Sequence, residues 1–205
     1  MNFKLFLVIL FCSASFIIKR QNINFNPKPL KKDIQKIWNS ENVELKELKV
    51  PDSLYNDILL DKGKIYLTKG DGENSGYAYI GRVYSCRSGG CGMNEANEEV
   101  SVDDDFEYFD YYIIYNSSLK VEKVRVYNYQ ATHGHEVGGR GWLKQFIGYE
   151  GDDKLELGKN IDSISGATIS ANAITYNVQE SSRYLELIIP ILENINPDLK
   201  VMVIE

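Results

Sequence analysis

Histidine and cysteine are scarce in this chain, at two and three among 205 residues. One cysteine, Cys12, lies in an apolar N-terminal run, so Cys86 and Cys91 are the pair left for a folded domain. That leaves room for at most one disulfide and excludes a scaffold held by many. Arg-Ser-Gly-Gly separates the two cysteines, and three readings stay open: a small disulfide loop, free thiols in a Gly-rich loop, or a metal site completed by His133 and His135. A short disulfide loop stabilises only modestly. The metal reading has a loose spacing, and His133 and His135 bring no obvious third ligand.

A basic surplus is also missing. Lysine and arginine total 23 against 29 acidic residues, a net charge of −6, which argues against nucleic acid as a partner. The stretch from Leu5 to Ile18 falls short of the roughly 20 apolar residues that span a bilayer. No repeat, coiled coil, low-complexity segment or evident catalytic acid–base pair stands out.

What is present fits one compact domain. Apolar residues make up 43 % of the chain and aromatics 12 %, enough for a substantial core. Lys4, the run Leu5–Phe11 and the small residues Ser13, Ala14 and Ser15 read as an export signal over residues 1–20, cleaved near Ala14 or Ser15. An anchor is the alternative, including acylation at Cys12, although Ile9-Leu10-Phe11 lacks the small residue expected before such a cysteine. A buried N-terminal element is the plain alternative. Residues 21–62 read as an extension with a short helix over Leu30–Trp38, in which Leu30, Ile34, Ile37 and Trp38 share a side. Residues 63–205 form the main domain.

Within that domain, strands are expected at Lys64–Thr68 and Gly76–Ser85, with Tyr77, Tyr79, Gly81 and Val83 facing one way. Ser88–Asp105 reads as a surface loop. The acidic run Glu95–Glu107 reads as solvated, with partner docking or Ca²⁺ as alternatives. Phe106–Tyr115 and Val121–Tyr129 form a hairpin around Asn116-Ser117-Ser118, a turn that also fits a glycosylation acceptor. A short helix begins over Trp142–Phe146. A long one runs from about Ser170 to Ile188, with Ile174, Val178, Leu185 and Ile188 on one face and Pro190 ending or kinking it. A last strand falls at Lys200–Ile204. The order predicts an α+β fold, an antiparallel sheet with a few packed helices.

Ser165-Gly166-Ala167-Thr168 immediately precedes the long helix. Small residues there admit close approach, and Thr168 or Ser170 suits the N-cap. Unpaired N–H groups and partial positive charge at a helix start favour a phosphate. An ordinary capped helix would look the same.

The string Asp162-Ser-Ile-Ser165-Gly166-Ala167-Thr168 resembles the attachment motif Asp-x-x-Ser-Gly-Ala-Thr/Ser of the FMN-binding domain family, and the resemblance runs from about Gly76 to Val178. That family includes the flavinylated subunits of sodium-pumping NADH:quinone reductase and of a related ferredoxin-linked ion pump. The resemblance implies FMN bound covalently as a phosphoester on Thr168, installed by a separate flavin transferase with FAD as donor. It also implies electron relay to a redox partner or membrane complex outside the cytoplasm. Asp162 would position or be recognised during transfer, and Ser165, Gly166 and Ala167 would shape the loop. A second segment, Ala131-Thr132-His133-Gly134-His135, matches loosely the family's Glu-Thr-Pro-Gly-Leu-Gly, with His133 in place of proline and His135 in place of leucine. Thr132, His133 and Gly134 are thus candidate FMN contacts, and a neutral histidine there could move protons. A solvated turn is the other reading. Tyr127, Tyr129 and Trp142 read as core aromatics, with stacking on a flavin as the alternative.

Overall fold

The computed structural model describes residues 22–87 and 106–197. The expected export signal, Cys91, most of the acidic loop and the strand at Lys200–Ile204 lie outside these residues, as does the side chain of Cys86. The elements run α1 Lys28–Trp38, β1 Glu44–Glu47, α2 Asp57–Leu60, β2 Gly63–Lys69, β3 Ser75–Arg87, β4 Phe106–Asn116, β5 Val121–Tyr129, α3 Arg140–Leu143 and α4 Thr168–Ile195. Short 3₁₀ turns at Asp52–Leu54, His135–Gly138 and Lys144–Phe146 join them.

The five strands form one sheet in sequence order, antiparallel at every pairing. This is the α+β fold expected. Helices cover both faces of its middle. On the α4 face, Tyr77, Tyr79 and Val83 from β3 and Phe109, Tyr111, Ile113 and Tyr115 from β4 join Ile174, Val178, Leu185 and Ile188 in the main core. On the opposite face, Ala78, Ile80, Tyr112 and Ile114 pack with Leu30 and Ile34 of α1. An antiparallel sheet often leaves one face wet. Here both are covered, which is why the central strands are rich in apolar and aromatic residues at consecutive positions.

Tyrosine suits this arrangement because its ring fills the core while its hydroxyl meets a polar atom at the margin. Tyr79 donates to the Leu59 carbonyl at 2.9 Å, Tyr77 to Glu193 at 2.8 Å, and the Tyr115 hydroxyl lies 3.1 Å from Ser181 Oγ. Gly63 leaves the room that Tyr79 needs, since a Cβ there would stand 2.3 Å from the phenol oxygen.

Several elements differ from the sequence reading. Pro190 neither ends nor interrupts α4, which continues to Ile195. Proline inside a helix costs about 3 kcal/mol, but Ile188, Ile189 and Leu192 are buried around it, so packing carries the helix through. The polar strand β1 and the single-turn α2 lacked apolar periodicity. β1 exists because it pairs with β2, and α2 because Asn56 Oδ1 caps the Leu59 N–H at 3.3 Å. The 116–118 turn forms as expected, with Asn116 Oδ1 accepting from the Ser118 and Lys120 amides. No helix among the described residues is long and apolar enough to cross a membrane.

Two charged clusters tie the sheet together. Arg82 is buried and its Nε donates to Asp110 at 2.7 Å, with Asn128 also donating to Asp110. On the α1 face, Asp33 accepts from the Tyr112 hydroxyl and meets Lys123 at 2.9 Å and Arg125 at 3.0 Å. Burial alone would raise the Asp33 carboxyl, but Tyr112, Lys123 and Arg125 outweigh it and hold it below its ordinary 3.8. A carboxyl depressed on folding contributes stability above its unfolded value, and that contribution disappears as pH falls through the folded value. We therefore expect urea midpoints of the native chain to decline below about pH 4, with Asp33→Asn less stable at neutral pH and flatter across the acidic range. Equal acid slopes in both proteins would refute this role.

Candidate functional site

The loop leading into α4 is positioned from two sides. Ile161 is buried and bridges to Leu157. The next residue, Asp162, is held by its backbone: its carbonyl accepts from Trp142 Nε1 at 2.8 Å, and its N–H donates to Gln145 Oε1 at 2.8 Å. Trp142 is fixed in turn by edge-on contact with Phe146, ring centres 5.4 Å apart. The Asp162 side chain is left exposed.

A tight turn follows. The Ala167 N–H reaches the Ile164 carbonyl at 3.2 Å, and Gly166 has φ +78°. Only glycine adopts that conformation without strain. A Cβ on Gly166 would meet nothing within 4 Å, so the space outside the turn is open. Ala167 is buried and takes the N-cap position, making no side-chain cap bond. Ser165 and Thr168 are exposed.

This corrects the expected cap. Neither Thr168 nor Ser170 caps α4. Thr168 is the first helical residue, and Ser170 is buried with its Oγ 2.7 Å from Ser85 Oγ. The first α4 bond joins the Ala171 N–H to the Ala167 carbonyl. The amides of Thr168, Ile169 and Ser170 therefore precede the helical ladder, and no acidic residue sits in the first turn. The positive end of a 28-residue helix is thus left without a side-chain counter-charge of its own.

The second candidate segment comes to the same place. Gly134 has φ +80°, and a Cβ on it would lie 2.6 Å from Ser170 Oγ and 3.2 Å from the Tyr129 hydroxyl. Glycine here lets the loop close onto the first turn of α4. Tyr129 donates to the His133 carbonyl at 2.6 Å. Burial pushes the Tyr129 phenol above its ordinary value, so it stays protonated and donates.

Thr132 and His133 form a short chain with Glu107. The carboxylate accepts the Thr132 hydroxyl at 2.6 Å and the Thr132 N–H at 3.0 Å. Thr132 Oγ1 lies 2.8 Å from His133 Nδ1. With the hydroxyl proton given to Glu107, the histidine Nδ1 must be the donor to Thr132, which leaves Nε2 as an acceptor on the neutral ring. His135 is turned away and is 75 % exposed, 3.9 Å from Glu136.

Among the described residues no cluster of three histidine, cysteine or acidic side chains could hold a metal ion. The pairing of Cys86 with Cys91 lies outside them. Of the aromatic candidates, Tyr127 stacks on Tyr112 at the α1 face, remote from α4, and Tyr129 stacks on Phe109 at 5.3 Å. Glu107, Gln145 and Ser85 were not singled out by sequence. Each acts across 17 to 85 residues of chain, a distance local patterns do not report.

Residues 109–182 match the family model of the FMN-binding domain. Over this segment the chain is similar to the FMN-binding domain family. The matched segment begins in β4 and ends within α4, so it holds both the Thr132–Gly134 loop and the Asp162–Thr168 run. No curated protein matches the chain.

The turn makes a direct prediction. Gly166→Ala should destabilise the protein by about 1–2 kcal/mol through left-handed strain, although the new methyl group has open space around it. Trp142→Phe should cost about 0.5–1.5 kcal/mol through the lost indole bond to Asp162. Urea unfolding of the two variants tests both values, and a Gly166→Ala protein as stable as the native chain would contradict the turn assignment.

Proposed function

We propose that this protein is an exported flavoprotein that carries FMN on the Thr168 hydroxyl and relays electrons to a redox partner outside the cytoplasm. One observation carries the reading. Thr168 stands exposed as the first residue of a long helix whose start has no side-chain cap and no acidic residue in its first turn, just after the Gly166 turn and inside the family match. A phosphodiester there meets the unpaired amides and the positive end of the helix dipole.

Attachment would proceed with FAD as donor and a separate flavin transferase as catalyst. The Thr168 oxygen bonds to the FMN phosphorus, the anhydride bond to the other phosphate breaks, and AMP departs with the hydroxyl proton balanced into solvent. Thr168 is then a modified acceptor and not a turnover nucleophile. Buried Ala167 and glycine at 166 keep the hydroxyl presented, and the grip of Trp142 and Gln145 on the Asp162 backbone leaves its carboxylate facing outward for the transferase. Once bound, the isoalloxazine ring supplies the electron chemistry. Export is read from the N-terminal sequence, and a membrane complex is one class of partner that would take the electrons.

A reductase with its own small substrate is the second reading. It draws on the Glu107–Thr132–His133 chain, which orients an imidazole beside the start of α4 with Nε2 able to take or give a proton. Saturable turnover with one defined acceptor, lost in His133→Ala, would favour it over a relay.

Co-expression with a flavin transferase tests the attachment. The intact mass should rise by FMN less water, with a fluorescent band under ultraviolet light on a denaturing gel. Thr168→Ala should lose both signals completely, and Thr168→Ser should retain them. A flavin signal that persists in Thr168→Ala would refute this site.

A further inference from the structure

Charge is unevenly placed along this chain. The net charge is −6, yet residues 19–36 hold six basic residues and one acid, Asp33. Four of the six are Lys28, Lys31, Lys32 and Lys36 of α1, all exposed. At 3.6 residues per turn they share one side of the helix, opposite Leu30, Ile34 and Ile37, which pack on the sheet. Asp33 is turned inward and held by Lys123 and Arg125, so it offers the stripe no counter-charge. Glu41 and Asp71 stand past the C-terminal end of α1. Glu44 and Glu47 line the hollow beside Lys31, and Glu47 is paired with Lys64 at 2.8 Å. The outward stripe itself carries no carboxylate, and none of its four lysines makes an ion pair among the described residues.

The chain enters the fold on this same face. The Asn24 carbonyl accepts from the Tyr127 hydroxyl at 2.8 Å, and Tyr127 stacks on Tyr112 of the α1-face cluster. Phe25 packs against that cluster, with the Lys64 ammonium 5.0 Å from its ring centre. In the sequence Lys19 and Arg20 come just before this entry, and the apolar run Leu5–Ile18 comes before them. With Asn24 fixed, the chain between it and Ile18 reaches at most about 21 Å, so the apolar run starts out from the lysine side of the sheet.

We propose that the outer face of α1 docks on an anionic lipid surface. Lysine ammonium groups in a flat stripe suit a layer of phosphate headgroups, and their attraction is screened by salt. An apolar segment beside a basic patch supplies two membrane signals where either alone is marginal. Because α1 and α4 cover opposite faces of the sheet, docking in this way turns α4 and the loop before it toward solvent. The proposal rests on neither flavin attachment nor export.

The two tryptophans supply the test, since Trp38 ends α1 and Trp142 is bonded to Asp162 near the start of α4. Full-length protein is mixed with phosphatidylcholine vesicles, with or without phosphatidylglycerol, that carry a nitroxide on the headgroup. Trp142→Phe leaves Trp38 as the reporter and Trp38→Phe leaves Trp142, with thermal unfolding confirming the fold of each. With phosphatidylglycerol present, Trp38 should be quenched several-fold more than Trp142. That difference should vanish on phosphatidylcholine alone, in high salt, and in the combined variant Lys28→Glu, Lys31→Glu, Lys32→Glu and Lys36→Glu. Each single Lys→Gln in the stripe should weaken docking about fivefold, equivalent to ~1 kcal/mol per lysine at an anionic surface. Where Trp38→Phe does not fold, the lysine and salt dependence of Trp38 quenching in Trp142→Phe decides alone. Equal quenching of the two tryptophans, or stronger quenching of Trp142, would overturn the proposal. So would Trp38 quenching that ignores lysines and salt, which assigns the contact to the apolar run. An acidic protein as the stripe's occupant would show as Trp38 unquenched on anionic vesicles, and that outcome also overturns it.

Discussion

Ile174, Val178, Leu185 and Ile188 bury one stripe of α4 against Tyr77, Tyr79, Tyr111 and Tyr115 of the two central strands. The candidate site depends on that packing, because it determines where the helix begins and which of its residues face outward. A large apolar side chain fully buried is worth roughly 1.5–3 kcal/mol, so the stripe as a whole outweighs local penalties such as Pro190. The helix start is then locked by contacts that are polar and short-ranged. Ser170 meets Ser85, and the left-handed Gly134 allows the histidine loop to close over it. With Ala167 and Ser170 turned inward, Thr168 is left on the outside. The exposure of one hydroxyl follows from the burial of its neighbours.

The sheet and its helices were legible in the sequence where periodicity was strong. The face Leu30, Ile34, Ile37 and Trp38 of α1, the one-sided placement of Tyr77, Tyr79 and Val83, and the 121–129 strand all reappear in the structure. What was illegible has a common cause. β1 reads Glu-Leu-Lys-Glu and has no apolar face of its own; its strand character comes from the partner it pairs with. Pro190 carried a local penalty that tertiary packing overrode. At the site, the motif residues were visible as a string, but their roles were not. Glycine at 166 answers to a backbone angle, alanine at 167 to a buried position, and serine at 170 to a partner 85 residues away.

The start of α4 is held from close by. Gly166 and Ala167 lie in its own loop, and Trp142 and Gln145 grip the backbone of Asp162 beside it. The left-handed turn requires glycine at 166, and the buried N-cap position requires a small residue at 167. Where residues depart from the pattern that the resemblance leads one to expect, the surroundings must supply the restraint.

The histidine loop shows how such divergence is accommodated. A proline at position 133 would remove a backbone N–H and fix the turn by its ring. Histidine has no such stiffness, and the fold supplies it from outside. Glu107 binds the Thr132 amide and hydroxyl together, Thr132 holds the imidazole by Nδ1, and Tyr129 holds the His133 carbonyl. Four hydrogen bonds, made with β4, β5 and the adjacent residue, thus restrain a loop that one ring would otherwise restrain. The exchange leaves something a proline would not, an imidazole nitrogen free to accept a proton at the edge of the site. Orientation of that ring depends on Glu107, at the end of the acidic run, so the last carboxylate of a segment that reads as solvated surface has a structural partner in Thr132.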